Sequence, residues 1–170
     1  YSVDVTGKGE EEWCVKLKKE PHVKSAPDGS YKFGAQAQTD LKLRAIVVGL
    51  GPAGLFAAFI LAQSGFKPLV LERGKAVRER TKDTWDLWRK SKLHPKSNVQ
   101  FGEGGAGTFS DGKLYSQIKD PKHYGRKVLQ EFVKAGAPAE ILYVSHPHIG
   151  TFRLVGMVDE MSKTVRALGG

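Results

Sequence analysis

The chain has 170 residues, 40% hydrophobic and 26% charged, so it can bury a core and is too apolar for a disordered tail. Its 27 basic and 18 acidic residues leave a net charge of +9, and no stretch approaches the ~18 to 20 unbroken apolar residues of a membrane span. Tyr1 to Glu12 shows no apolar signal core, and the lone Cys14 excludes an internal disulfide framework and a cysteine-only metal site. A reducing compartment is expected: the cytoplasm, or alternatively the stroma of a plastid or other organelle.

Along the chain, Tyr1, Val3 and Val5, and then Trp13, Val15 and Leu17, alternate with polar residues at the period of a half-buried strand. Gly7 to Glu12 and Pro21 to Ser30 read as a turn and a loop. Residues 1–40 are therefore expected to be the remnant of a small β-containing domain, with residues 41–170 forming a second unit. Charge is uneven: residues 1–44 hold eight basic and seven acidic side chains, while Lys67 to Lys96 holds ten against four. That local excess could draw phosphates, an acidic partner or nucleic acid. The mixed signs of Arg78, Glu79, Arg80, Lys82, Asp83 and Asp86 favour a solvated helix face instead.

At Leu43 the pattern changes. Ala45 to Val48 is a short apolar run, the signature of a strand buried on both faces. Gly49-Leu50-Gly51-Pro52-Ala53-Gly54 follows, then an apolar helix from about Pro52 to Ser64, with Gly65 as a left-handed cap. Lys67 to Glu72 supplies a second strand. Strand, glycine turn, helix and strand fit into about 30 residues, as a βαβ unit requires. Three more helices are expected. One carries Val77, Thr81, Trp85 and Trp88; one carries Tyr124, Val128, Leu129, Phe132 and Val133 and ends at Gly136. The last carries Leu154, Val155, Val158, Met161, Val165 and Leu168, with Thr151 as its cap and Gly169-Gly170 at its end. The apolar stripes are expected to face the core. Two strands cannot bury both faces of a parallel sheet, so the 170 residues are expected to be part of a longer protein whose C-terminal portion is missing.

The glycine turn carries the chemistry. Gly49 allows the tight exit from the strand, Gly51 has no Cβ to hold the backbone off a pyrophosphate, and Gly54 lets helix and strand approach closely. The free N–H groups and dipole at the helix start favour an anion, and Pro52 loses only an N–H that helix geometry leaves unpaired. Glu72 closes the second strand 18 residues beyond Gly54, near the ~20-residue offset of the acid that takes ribose hydroxyls. A carboxylate there would repel a 2′-phosphate.

The turn alone does not separate FAD from NAD. Asn98 to Leu114 holds five glycines, Gly102, Gly104, Gly105, Gly107 and Gly112, with Val99, Phe101, Phe109 and Leu114 embedded among them. Such a segment exposes backbone N–H groups to a flat or charged ligand, and its apolar side chains predict an ordered loop. A plain NAD-binding βαβ unit has no need of it.

Val47 to Gly54, Leu71-Glu72-Arg73-Gly74, Asn98 to Leu114 and Pro147-His148-Ile149-Gly150-Thr151 resemble a family of poorly characterised FAD-dependent dehydrogenases, within the flavoproteins that have a glutathione-reductase-type FAD domain. The resemblance covers Leu43 to Gly170, with Gln100 to Leu114 its most specific part. It implies an α/β fold: an incomplete, Rossmann-like FAD-binding βαβ core preceded by the remnant of a small α/β domain. It implies FAD held by Gly49, Gly51, Pro52, Ala53, Gly54 and Glu72, with Arg73 beside the adenine. Gly104, Gly105, Ala106, Gly107, Thr108, Ser110 and Asp111 would lie along the pyrophosphate and flavin. NAD(P)H is a candidate electron donor; the substrate and the electron acceptor stay open.

Ser110, Lys113 and Tyr115 are candidates to tune a flavin, each equally well explained as a loop residue bonded to its own backbone. His146 and His148 flank Pro147 without a third ligand at useful spacing, and His22, His94 and His123 stand apart, so no metal is expected. Cys14 has no CxxC partner, and neither a Gly-x-Ser-x-Gly nor a phosphate-loop lysine motif is present. The alternatives to a flavin oxidoreductase are an NAD-binding dehydrogenase and a non-catalytic, basic flavoprotein module that binds nucleic acid. Neither nucleic acid nor a membrane is the expected partner.

Overall fold

The computed structural model describes residues 3–38 and 42–170. Tyr1, in the first expected strand, and the expected boundary between residues 40 and 41 lie outside them. Among the described residues the chain is α/β: five α-helices and a two-stranded parallel sheet. The helices are α1 (Glu10–Lys16), α2 (Pro52–Gln63), α3 (Val77–Lys90), α4 (Tyr124–Lys134) and α5 (Thr151–Ala167); the strands are β1 (Ile46–Val48) and β2 (Leu69–Leu71). Among the described residues no helix is long and apolar enough to cross a membrane.

The βαβ unit forms as its pattern predicts. Ile46 registers with Leu69, Val47 with Val70 and Val48 with Leu71. Between them α2 is apolar on every side and ends on Gly65, whose φ of +84° lets Phe66 N–H reach Leu61 O and Gly65 N–H reach Ala62 O. Leu55, Ala58, Phe59 and Ala62 of α2 pack with Leu154, Met157, Val158, Met161 and Val165 of α5 into one core, which Val47 enters from the sheet.

Four expectations are corrected. The sheet is not buried on both faces: Val47 is 9% exposed, but Ile46 and Val48 are 62% and 81% exposed, and Leu69 and Leu71 share that open side. The helices α2 and α5 cover one face only. Among the described residues of the N-terminal segment no strand forms. Val3 and Val5 are exposed, irregular chain, and Trp13 and Val15 lie in α1. Glu10, Glu11 and Glu12 in the first turn and Lys16 in the last match the helix dipole, and the Glu12–Lys16 pair adds little at its exposure. Residues farther on are tied down: Tyr31 meets Phe33 and Tyr124 edge to face, Lys127 Nζ lies over the Tyr31 and Phe33 rings, and Ala37 N–H bonds to Ser64 O.

The third correction concerns α3. Its buried residues are Val77, Arg80, Asp83 and Thr84, while Trp85 and Trp88 stay about half exposed. The helix is rolled away from the stripe of tryptophans because Arg80 is caged by a neighbouring loop. Thr151 does not cap α5 either; the N-cap is Gly150, and Thr151 is the first helical residue.

Candidate functional site

The glycine turn leaves β1 with Gly49 at φ +87°, its N–H bonded to Leu71 O at 2.7 Å. At Gly54 any Cβ would collide with the carbonyl oxygen of Gly49, so the residue is the contact that seats helix on strand. Gly51 is different: nothing lies within 4 Å of where its Cβ would be. The N–H groups of Ala53 and Gly54 at the mouth of α2 find no acceptor among the described residues, and no side chain caps the helix. Pro52 is the first helical residue, as expected. Open space and unpaired amides coincide where a diphosphate is predicted.

Glu72 stands at the end of β2. One carboxylate oxygen accepts from Leu50 N–H at 2.6 Å and the other from Gly74 N–H at 2.7 Å. The first bond ties the acid directly to the glycine turn. An ionised carboxylate has about four acceptor positions, so two remain for ribose hydroxyls. Glu72 lines two cavities. One, of about 550 Å³, lies at the carboxyl ends of the strands among Val48, Gly49, Leu71 and Arg73. The other, of about 430 Å³, runs toward Glu103 and Ser162. Arg73 reaches over the Phe101 ring, 5.2 Å from its centre.

The glycine loop is brought onto the turn, although some 50 residues separate them. Gly104 N–H donates to Leu50 O at 2.7 Å. Gly105 lies so close that a Cβ on it would sit 2.8 Å from Pro52 Cδ and 3.2 Å from Gly51 Cα. Ala106 to Phe109 then form a single 3₁₀ turn in which Ala106 and Gly107 are exposed. Thr108 points the other way: it is buried, and its hydroxyl accepts from Arg80 at 3.3 Å. Its side chain therefore belongs to the loop's support.

The loop's far end is self-contained. Ser110 Oγ donates to Gly107 O and accepts from Gly112 N–H. Asp111 pairs with Lys113 at 3.0 Å, and that hydrogen bond holds its carboxyl below the usual range. Lys113 bridges His148 antiparallel, with Leu114 N–H on Pro147 O, so the 147–151 motif braces the loop. Tyr115 stacks on His146, centres 5.0 Å apart. His94 lies by Asp83, and His123 precedes α4, so the histidines are dispersed.

Two residues central to this arrangement were not singled out by the sequence. Arg80 is fully buried: Nε donates to Asn98 O at 2.8 Å, one terminal nitrogen to Glu103 O at 2.7 Å, and the other to Val99 O at 2.9 Å. Its guanidinium also lies over the Phe109 ring at 4.9 Å. Burial pushes its pKa down, and the charges of Glu72 and Glu103 oppose that. Glu103 is 3% exposed; its carboxylate takes Val77 N–H at 2.5 Å, at the start of α3, and the Ser162 hydroxyl of α5. A signal for Arg80 existed in its spacing, three residues after Val77 and four before Thr84, on the face the helix buries.

Of the ten basic residues between Lys67 and Lys96, four are paired or buried. Lys75 pairs with Asp83, Arg78 with Asp159 and Lys90 with Asp86, while Arg80 is internal. Asp83 is held below the usual carboxylate range: burial works to raise it, and the hydrogen bond from Lys75 with the charges of Lys75 and His94 outweighs that.

No family model matches the sequence. Over 141 residues, 83% of its length, the chain is 53% identical to an uncharacterized protein of Clostridium beijerinckii. The match takes in 26% of that protein, so the chain spans about a quarter of the length of the curated relative it matches.

Proposed function

We propose that the chain supplies a Rossmann-like FAD-binding unit to a flavin-dependent oxidoreductase, a dehydrogenase of the kind its motifs resemble. The observation that carries this reading is a convergence at one turn: two unpaired helix-mouth amides, open space beside Gly51, the Glu72 carboxylate and the glycine loop. Ala53 and Gly54 N–H would bind the diphosphate, with Gly51 clearing the backbone for it. Glu72 would orient the adenosine ribose, Arg73 would stand at the adenine end, and Gly104 to Gly107 would cover the diphosphate and the flavin side. When bound, FAD supplies the hydride and electron chemistry, and the chain's residues bind and orient it. The loop favours FAD over NAD, because a second ordered wall on the turn suits the longer, flatter ligand. Pairing of Lys75, Arg78 and Lys90 with carboxylates and burial of Arg80 reduce the basic excess that a nucleic-acid role would use. NAD(P)H as donor and a cytoplasmic or stromal setting remain part of the proposal.

The test is a titration of FAD followed by the change in flavin fluorescence. The wild type is expected to saturate. Glu72→Ala should weaken binding by about 1.5–3 kcal/mol, roughly tenfold to a hundredfold, the worth of hydrogen bonds to a charged group. Unchanged affinity in that variant would move the ribose contact elsewhere.

A further inference from the structure

We infer that Arg80 is a positioning residue that makes the site select a whole dinucleotide over its adenosine half, by holding the glycine loop preformed on the mouth of α2. The inference rests on the dinucleotide reading of that turn.

The two walls of the site are supported separately. Glu72 is held by the amides of Leu50 and Gly74, both close to the βαβ unit. The glycine loop's far end is braced by Pro147 to Gly150, but its near end, Asn98 to Thr108, carries four of the five glycines and has a large conformational entropy to lose. Arg80 provides the order. Its forked guanidinium collects the carbonyls of Asn98, Val99 and Glu103 together with the Thr108 hydroxyl, all from one segment. Asn98 prepares those acceptors, because its side-chain oxygen takes the N–H groups of Gln100 and Phe101 and folds the chain back. Gly102 sits against the Arg80 stem, where a Cβ would come within 2.7 Å of Cδ. Glu103 and Gly104 then run directly from this cage to Lys75 O and Leu50 O. A buried cation with its donors spent on backbone carbonyls touches no ligand; it acts through the loop it holds.

Loss of Arg80 should therefore leave the adenosine wall and remove the loop wall. The experiment titrates FAD and AMP, its adenosine half, into the wild type, Arg80→Ala and Arg80→Lys. The wild type binds both. In Arg80→Ala the FAD affinity is expected to fall about a hundredfold and the AMP affinity less than about threefold. Arg80→Lys should fall between, because one ammonium cannot span three divergent carbonyls. Hydrogen exchange on the ligand-free wild type and on Arg80→Lys carries the test if the alanine variant does not fold. Glu103 and Gly104 amides should be protected in the first and exchange faster in the second, while those of Phe59 and Met161 stay protected. Equal losses for FAD and AMP, an unchanged FAD affinity, or an unprotected wild-type loop overturns the inference. A wild type that binds neither ligand overturns the reading of the site itself, and this inference with it.

Discussion

Gly54→Ala is expected to break the βαβ unit, and Gly51→Val to leave it folded while abolishing cofactor binding. The two residues lie three positions apart in one motif, yet they meet opposite surroundings. A methyl group at Gly54 would occupy the position of the Gly49 carbonyl oxygen. Gly49 cannot yield, because its N–H is bonded to Leu71 O and its positive φ defines the turn. Helix and strand must separate, at about 3 kcal/mol or more for such overpacking, which is about 6–12 °C in Tm at this chain length. At Gly51 the backbone has φ −71°, which valine accepts, and its side chain would project into open space. Thermal unfolding by circular dichroism should drop for the first variant and match the wild type for the second. FAD retention by folded Gly51→Val would place the diphosphate away from this turn.

Glu103→Ala is expected to destabilise the protein by about 2–4 kcal/mol, because it leaves buried Val77 N–H without an acceptor, strands the Ser162 hydroxyl and opens a cavity. The carboxylate touches the start of α3 and the middle of α5, and its own backbone is bonded to Lys75 O and Arg80. Glu103→Gln should cost less, since an amide oxygen still accepts from Val77 and the amide nitrogen can donate to Ser162. Urea unfolding would show this as a lowered midpoint at constant slope for alanine and a smaller shift for glutamine. Equal midpoints for wild type and Glu103→Ala would mean that the loop is not joined to the helices through this residue.

The parts of the molecule that were legible in the sequence are those whose determinants are local. Strand, turn, helix and strand occupy residues 46–71. Gly49 takes the positive φ, and Gly54 the close helix–strand contact, that their spacing predicts. The loop at 98–114 was recognisable by composition, and its contact with the turn follows from the same glycines. Arg80 and Glu103 were not legible because their partners are main-chain groups and a serine on other segments, and a backbone carbonyl has no sequence signature. Mixed charge around Arg80 suggested solvent, whereas the acceptors gathered by Asn98 made burial of that cation tolerable. Trp13, Val15 and Leu17 misled for a different reason. Three alternating residues are a short pattern, and the acidic first turn at Glu10 to Glu12 favours helix over it. The open sheet face lies on a third level: the apolar character of Ile46, Val48, Leu69 and Leu71 is that of a covered strand, but their surroundings here leave that face exposed.

Amide chemical shifts report most directly on whether the entrance to α2 grips a diphosphate. On titration with ADP and then FAD, the backbone N–H signals of Ala53 and Gly54 should shift most, with Leu50 following as Glu72 engages the ribose. Gly104 to Gly107 should shift with both ligands, and further with FAD. Saturating shifts confined to other parts of the chain, with Ala53 and Gly54 unmoved, would contradict the assignment.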